Sequence, residues 1–287
     1  MPEIPSIQWF PGHMKKTERM IQQSLPLVDV AVEITDARIP QSSRNPLLDR
    51  LLGTKPRVIL LNKSDMADPV ITREWMAYYR EGGVPVLATD CRSGLGMKEF
   101  PAFVRKELAE LLERRGEKGM AGKPIRAMVL GIPNVGKSSF INRMAGNKRA
   151  KVEDRPGVTR GKQWIRIDNG FDLLDMPGIL WPKFEDPAVG EKLAFTGAVK
   201  DDVLDIELLA MRLLAYLSVF YPAVLTERFK LEGSEGMKDY ERLEAVGRKR
   251  GMLISGGEVN TERAAITVLD EFRSGKLGRI SLERPGR

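Results

Sequence analysis

Two short segments, in an inverted order, constrain this chain more than anything else in it. Asn62-Lys63-Ser64-Asp65 precedes Gly131-Ile-Pro-Asn-Val-Gly136-Lys137-Ser138. The second segment matches G-x-x-x-x-G-K-[ST]. In that loop backbone N–H groups wrap phosphates, the lysine reaches the β/γ-phosphates and the hydroxyl meets Mg²⁺. The first segment has the composition of a guanine reader. A carboxylate at Asp65 accepts from both N1–H and N2–H₂ of guanine, and adenine offers no such donor pair. Nucleotide-binding chains of this kind ordinarily run from phosphate loop to base reader. The inversion implies a circular permutation, so the fold must set strands from late and early sequence side by side.

The surroundings of both motifs agree with that chemistry. Arg126–Leu130 is an apolar run suited to a buried strand, and Ser138–Ala145 reads as a helix closed by Gly146. Asn62 to Asp65 follows the apolar run Arg57–Leu61, at the carboxyl end of a strand, where open α/β sheets bind ligands. Asp175-Met-Pro-Gly178 follows Phe171–Leu174. There a carboxylate can hold Mg²⁺ through water while the Gly178 N–H meets the γ-phosphate. Thr159 lies between loop and Asp175, where a switch threonine closes on Mg²⁺ and γ-phosphate. The nucleotide-binding candidates are Asn62, Lys63, Asp65, Asn134, Val135, Gly136, Lys137, Ser138, Ser139, Thr159 and Gly178. The Mg²⁺ candidates are Ser138, Thr159 and, through water, Asp175.

Candidate strands at Asp29–Ile34, Arg57–Leu61, Val84–Ala88, Arg126–Leu130, Gln163–Ile167 and Phe171–Leu174 predict an α/β domain over residues 1–182. Helical stretches at Lys15–Leu25, Thr72–Glu81, Met97–Arg115 and Ser138–Ala145 separate the earlier strands, which therefore need crossovers and form a parallel sheet. Asp168-Asn-Gly170 is a turn signal that pairs the last two as an antiparallel hairpin. The expectation is a six-stranded, mostly parallel sheet, with Gly116–Lys123 as the linker joining the permuted halves. Beyond it, Ile206, Leu209, Leu213 and Leu217 share a helical face, and Tyr240–Arg250 and Thr261–Phe272 read as helices. Residues 183–287 thus read as a smaller all-helical domain. Because the chain leaves the sheet just after Asp175–Gly178, movement of that segment is expected to be felt at the domain joint.

Charge and cysteine usage narrow the class. The formal net charge is +7. Arg143, Lys148, Arg149, Lys151, Arg155, Arg160, Lys162 and Arg166 face only Glu153 and Asp154 in the same stretch. A basic surface over the switch region suggests a polyanionic partner, RNA above all. Cys91 is the only cysteine, which excludes an intrachain disulfide and fits a reducing compartment. No secretory segment or membrane-length apolar run is apparent, so a cytoplasmic protein without a membrane partner is expected.

Further segments carry a family resemblance: Ile7-Gln-Trp-Phe-Pro-Gly-His-Met14, Thr35-Asp-Ala-Arg-Ile-Pro40, Ser43-Arg-Asn-Pro46, Asp154-Arg-Pro-Gly157 and Asp175–Asp186. With the phosphate loop they resemble the YlqF-type ribosome biogenesis GTPase A family of circularly permuted GTPases, over essentially the whole chain. The resemblance implies a permuted Ras-like P-loop domain followed by a helical RNA- or ribosome-binding domain. It implies a GTPase, monomeric, that binds GTP and GDP and acts in late maturation of the large (50S) ribosomal subunit, contacting rRNA and ribosomal proteins. Ras-like enzymes place a water-orienting Gln after D-x-x-G; this chain has Ile179 and Leu180 there. Slow intrinsic turnover, stimulated by the large subunit, is therefore expected. The only histidine, His13, falls in the family's N-terminal segment, and the resemblance implicates it in hydrolysis. Asn134 resembles its counterpart in monovalent-cation-dependent GTPases, which adds K⁺ to Mg²⁺ as a cofactor. Thr89-Asp90-Cys91 stands where guanine O6 is contacted, through backbone at Asp90.

Three other readings compete. One is a P-loop ATPase, which Asp65 argues against. The second is a nucleotide-sensing RNA-binding module with little hydrolysis. The third is a GTPase of translation or tRNA modification.

Overall fold

The computed structural model describes residues 11–146, 163–167, 170–181, 184 and 186–286, the side chains of 11–14, 203 and 235 excepted. Among these residues two compact units separate, one of the described residues from 11 to 181 together with 281–286, the other of those from 184 to 280. The sequence puts residues 183–287 in one helical domain. The compact helical unit instead ends at Ile280, and the last residues belong to the α/β unit, where their backbone finds partners.

The α/β unit follows in chain order. Helix α1 (Pro11–Ser24) leads to β1 (Val30–Asp36), α2 (Pro46–Leu52), β2 (Arg57–Asn62), α3 (Pro69–Glu81) and β3 (Val86–Ala88). Helices α4 (Phe100–Glu107) and α5 (Ala109–Glu117), strand β4 (Ile125–Leu130), α6 (Lys137–Ala145), β5 (Gln163–Ile167) and β6 (Phe171–Asp175) complete it. The six strands are ordered β3-β2-β1-β4-β6-β5, every pair parallel except β5 with β6. That is the mostly parallel sheet with one antiparallel edge read from the sequence. The permutation shows directly: β4, which feeds the phosphate loop, lies beside β1. The first strand is buried along its whole length, as a central parallel strand must be.

By register, two apolar clusters share one face of the sheet: Ile21, Val28, Leu48, Met128, Leu174 and Ile179 beside β1, β4 and β6, and Ile59, Leu61, Ile71, Trp75 and Val86 beside β2 and β3. Helices α2 and α3 start in the same way. Asn45 and Asp68 accept backbone N–H groups of the first turn, and Pro46 and Pro69 supply the fixed φ suited to that place. The single helix expected over Met97–Arg115 is two, broken at Leu108.

The helical unit holds α7 (Pro187–Phe195), α8 (Ile206–Phe220), α9 (Pro222–Phe229), α10 (Asp239–Lys249) and α11 (Thr261–Arg273). Helix α8 buries Leu209, Leu213 and Leu217, as the periodicity indicates, while Ile206 stays half-buried. Buried Glu271 takes Arg228 bidentately, both bonds at 2.7 Å, and Arg250 at 3.1 Å, tying α9 and the end of α10 to α11. Among the described residues no single helix is long and apolar enough to cross a membrane.

Candidate nucleotide-binding site

The loop between β4 and α6 reaches its shape through residues that tolerate unusual backbone angles. Gly136 has φ +99°, and a Cβ there would sit 2.3 Å from Asn62 Nδ2, so only glycine fits. Asn134 adopts φ +61° at the exposed tip, the left-handed region that asparagine enters more readily than most residues. Lys137 opens α6 with its side chain buried, and its ammonium donates to the carbonyls of Gly131 at 3.1 Å and Ile132 at 2.7 Å. Burial pulls the Lys137 pKa down to about 8, with the Asp175 charge opposing. Asp175 closes β6 and is buried, so its carboxylate acts on the ammonium across the loop. Gly178 follows so closely that a Cβ would meet Pro133 N at 2.9 Å and Lys137 Nζ at 3.0 Å. Lys137, Asp175 and Gly178 thus converge. Val135 is buried, and Ser138 and Ser139 sit half-buried in the first turn of α6.

The segment 62–65 sits at the carboxyl end of β2, with β1 between it and the strand that leads into the phosphate loop. Asn62 does not point at open space. Its Nδ2 donates to the Val135 carbonyl at 2.7 Å, and its Oδ1 accepts from Cys91 N–H at 3.2 Å. Lys63 takes φ +59°, and its Nζ lies 3.0 Å from Asp36 Oδ2. Ser64 donates through both N–H and Oγ to the Thr89 carbonyl, at 3.1 and 2.9 Å. Asp65 Oδ1 is buried with no hydrogen-bond partner among the described residues. Burial, and then the Asp90 charge, push the Asp65 carboxyl above the usual range. An orphaned carboxylate oxygen of this kind suits a donor such as the ring N1–H or the exocyclic N2–H of guanine. Asp90 is used differently. Its two oxygens accept from Arg92 N–H and Ser93 N–H, each at 2.8 Å, so its side chain closes its own loop. Burial opposes these bonds, yet they hold its carboxyl below the usual range. Burial pushes the Cys91 thiol up to about 12, which makes it unreactive.

Two residues escaped the sequence reading. Asp36 and Arg38 are fully buried, joined by Arg38 Nε to Oδ1 at 2.9 Å and Nη2 to Oδ2 at 2.7 Å. Parallel register sets Asp36 directly beside Asn62, which is how Lys63 comes within reach of it. Burial alone would raise the Asp36 pKa, but the charges of Arg38 and Lys63 hold it far below the usual range. The available signal was an acid and a base two positions apart at the end of a strand that is buried throughout.

The position after Asp175–Gly178 is occupied as the sequence implies and buried besides. Ile179 and Leu180 are 1% and 3% exposed, and Ile179 packs with Ile21, Leu48 and Met176. Its backbone is pinned by Asn45 Nδ2 at 2.9 Å and by the Gly131 carbonyl at 3.3 Å. His13 falls in the first turn of α1, but its side chain lies outside the described residues. So do Thr159 and, from the basic run, Lys148, Arg149, Lys151, Arg155, Arg160 and Lys162. Of the run's ends, Arg143 donates to the Ser93 carbonyl at 2.8 Å and Arg166 is exposed. For a metal, the described residues offer the Ser138 hydroxyl and the Asp175 carboxylate beside Lys137. No group of three or more acidic, His or Cys side chains stands among them. That sparse oxygen set suits Mg²⁺, which takes few protein ligands and completes its shell with phosphate and water.

Known proteins resemble this chain in sequence and in fold. A family model described as "50S ribosome-binding GTPase" matches residues 126–215. Ribosome biogenesis GTPase A of Priestia megaterium is 48% identical over 283 residues, 98% of this chain and 97% of the relative. Among solved structures, GDP-bound YlqF aligns with TM-score 0.67 at 28% identity, covering 93% of this chain and 99% of that one. GNP-bound YlqF from T. maritima aligns with TM-score 0.64 at 29% identity, covering 94% and 99%.

Proposed function

The chain belongs to the ribosome biogenesis GTPase A family, and on that premise we propose that it assists late maturation of the large (50S) ribosomal subunit, hydrolysing GTP when the particle triggers it. Guanine-nucleotide binding and GTP hydrolysis to GDP and phosphate come with the P-loop GTPase domain. The trigger rests on one observation, the burial of Ile179 and Leu180 directly after Gly178. No side chain at that position orients the attacking water, so the free protein turns over slowly and the ribosomal particle completes the site.

The chain's own residues divide the work. Asp65 selects guanine, Lys63 and Asn62 frame the base, and Asp90 offers backbone to guanine O6. The phosphate loop from Asn134 to Ser139 wraps the phosphates, with the Lys137 ammonium on the β- and γ-oxygens. The Gly178 N–H meets the γ-phosphate. His13 then holds the attacking water or takes its proton, in the position the missing Gln leaves unserved. Ser138, Thr159 and, through water, Asp175 would hold Mg²⁺, which offsets charge developing on the phosphoryl oxygens. Asn134 would add K⁺ at the same phosphates. The helical unit, which ends at Ile280, binds rRNA or ribosomal protein of the large subunit, and the basic stretch from Arg143 to Arg166 supports an RNA-facing switch surface. The protein acts as a monomer in the cytoplasm.

GTP turnover in K⁺ buffer, with purified large subunits and with small subunits as control, tests this reading. Stimulation by large subunits alone is expected. Equal, slow turnover with either subunit and with none would overturn it.

A further inference from the structure

After Ile280 the chain returns to the α/β unit and binds one short stretch of it. Leu282 N–H donates to the Arg38 carbonyl at 2.8 Å. The Glu283 carboxylate accepts from the backbone N–H groups of Gln41 and of Ser42, the latter at 3.0 Å, and from the Ser42 hydroxyl at 2.6 Å. On its other side, Asp68 N–H donates to Ser281 Oγ and the Trp75 indole N–H donates to the Glu283 carbonyl, both at 3.1 Å. Ser281 and Leu282 are buried. This is a docked strap.

What the strap grips matters more than how tightly. The stretch from Arg38 to Ser43 carries the partners of Asp36: the Arg38 guanidinium, bidentate on its carboxylate, and the Ser43 hydroxyl, which accepts from its N–H at 3.0 Å. Asp36 in turn holds Lys63 at 3.0 Å. Glu283 therefore grips, at Gln41 and Ser42, the same loop whose Arg38 and Ser43 hold Asp36, and Asp36 holds the lysine of the base reader. Arg38 and Asp36 are fully buried, and a buried ion pair offsets its desolvation only in good geometry. Loosening the loop is thus felt at Asp36, and through it at Lys63.

We propose that Glu283 is a positioning residue for guanine-nucleotide binding, acting through the Arg38 loop and Asp36 to fix Lys63. The strap follows the helical unit in the chain, so the end of that unit is joined covalently to a segment that sets nucleotide affinity. The inference rests on guanine-nucleotide binding, not on the ribosomal reading, and its test contains no ribosome.

Fluorescent GDP and GTP analogues are titrated into the full chain and into Glu283→Ala, Glu283→Gln and Ser42→Ala. Glu283→Ala is expected to weaken both nucleotides by the same factor, about tenfold, mainly through faster dissociation. Glu283→Gln keeps one acceptor oxygen and restores part of the loss, and Ser42→Ala shows the smallest effect. The GTP-to-GDP affinity ratio stays unchanged, because the phosphate loop is untouched. On a Lys63→Ala background Glu283→Ala adds nothing, the non-additivity of residues in one contact series. A lowered Tm of the nucleotide-free protein with unchanged affinities would reduce the strap to scaffolding and overturn the proposal. A changed GTP-to-GDP ratio, or full additivity with Lys63→Ala, would overturn it equally. Should Glu283→Ala not fold, Glu283→Gln and Ser42→Ala, each paired with Lys63→Ala, separate the same outcomes.

Discussion

The Asn62 amide donates to the Val135 carbonyl at 2.7 Å, joining the base-reading segment to the phosphate loop across two motifs far apart in sequence. The same side chain accepts from Cys91 N–H at 3.2 Å. One asparagine therefore fixes three loops: its own, the phosphate loop and the loop after β3. Gly136 is the other half of this relationship, since any Cβ there would displace the amide.

Asn62→Ala should then harm binding of the phosphates as well as the base. It leaves a buried carbonyl and a buried N–H without their partner, at a cost of about 1–3 kcal/mol each way. Calorimetric titration is expected to show both GDP and GTP weakened by about tenfold or more. Unchanged affinity for both would mean the loops hold their shape without Asn62.

Asp65 gives a specificity prediction and a pH prediction. Asparagine at position 65 keeps one acceptor and gains a donor, which suits xanthine, where an oxygen replaces the guanine 2-amino group. Asp65→Asn should therefore lose GTP affinity and gain affinity for XTP. In the wild type, burial and then the Asp90 charge raise the Asp65 pKa. Between the unfolded value and this raised one the folded protein holds more protons, so the group costs stability as pH rises through that window. With Asp65 proposed as the guanine acceptor, the ionised form is the one that binds, so nucleotide binding runs the other way. GDP affinity should increase with pH through the raised value, releasing a proton, and level off above it. Titrations in buffers of different ionisation enthalpy measure that release; Asp65→Asn should abolish it.

Much of this was legible locally. Apolar runs bounded by turn residues mark the strands, and Asp168-Asn-Gly170 announces the antiparallel β5–β6 edge that register confirms. The phosphate loop is a short motif whose chemistry follows from residue type. Helix α2 was missed because seven residues are too few to show a helical period. The break at Leu108 has no glycine or proline to mark it. The role of Arg38 was hidden for a stronger reason. Its loop is held from the far end of the chain, with Ser42 and Glu283 separated by 241 positions, and no local pattern records such a pairing.

His13 carries the hydrolysis prediction. His13→Ala should abolish stimulation of turnover by large subunits while leaving GTP affinity as in the wild type, read by single-turnover kinetics beside equilibrium titration. Weakened GTP binding in this variant would instead make the histidine an anchor of the N-terminal arm.

The last prediction concerns restoring what Ras-like enzymes have. Ile179→Gln puts the expected amide at the sequence position after Asp175–Gly178, yet Ile179 packs with Ile21, Leu48 and Met176 and is 1% exposed. A Gln there must either bury an amide with no partner, at a cost of about 1–3 kcal/mol, or pull the segment out of the core. The Asn45 and Gly131 bonds to the Ile179 backbone oppose the second course. The expected result is a Tm lower by several degrees and no gain in intrinsic GTP turnover. A variant that hydrolyses GTP faster without particles would show that this position can reach the attacking water. The buried side chain would then not be the reason the free protein is slow.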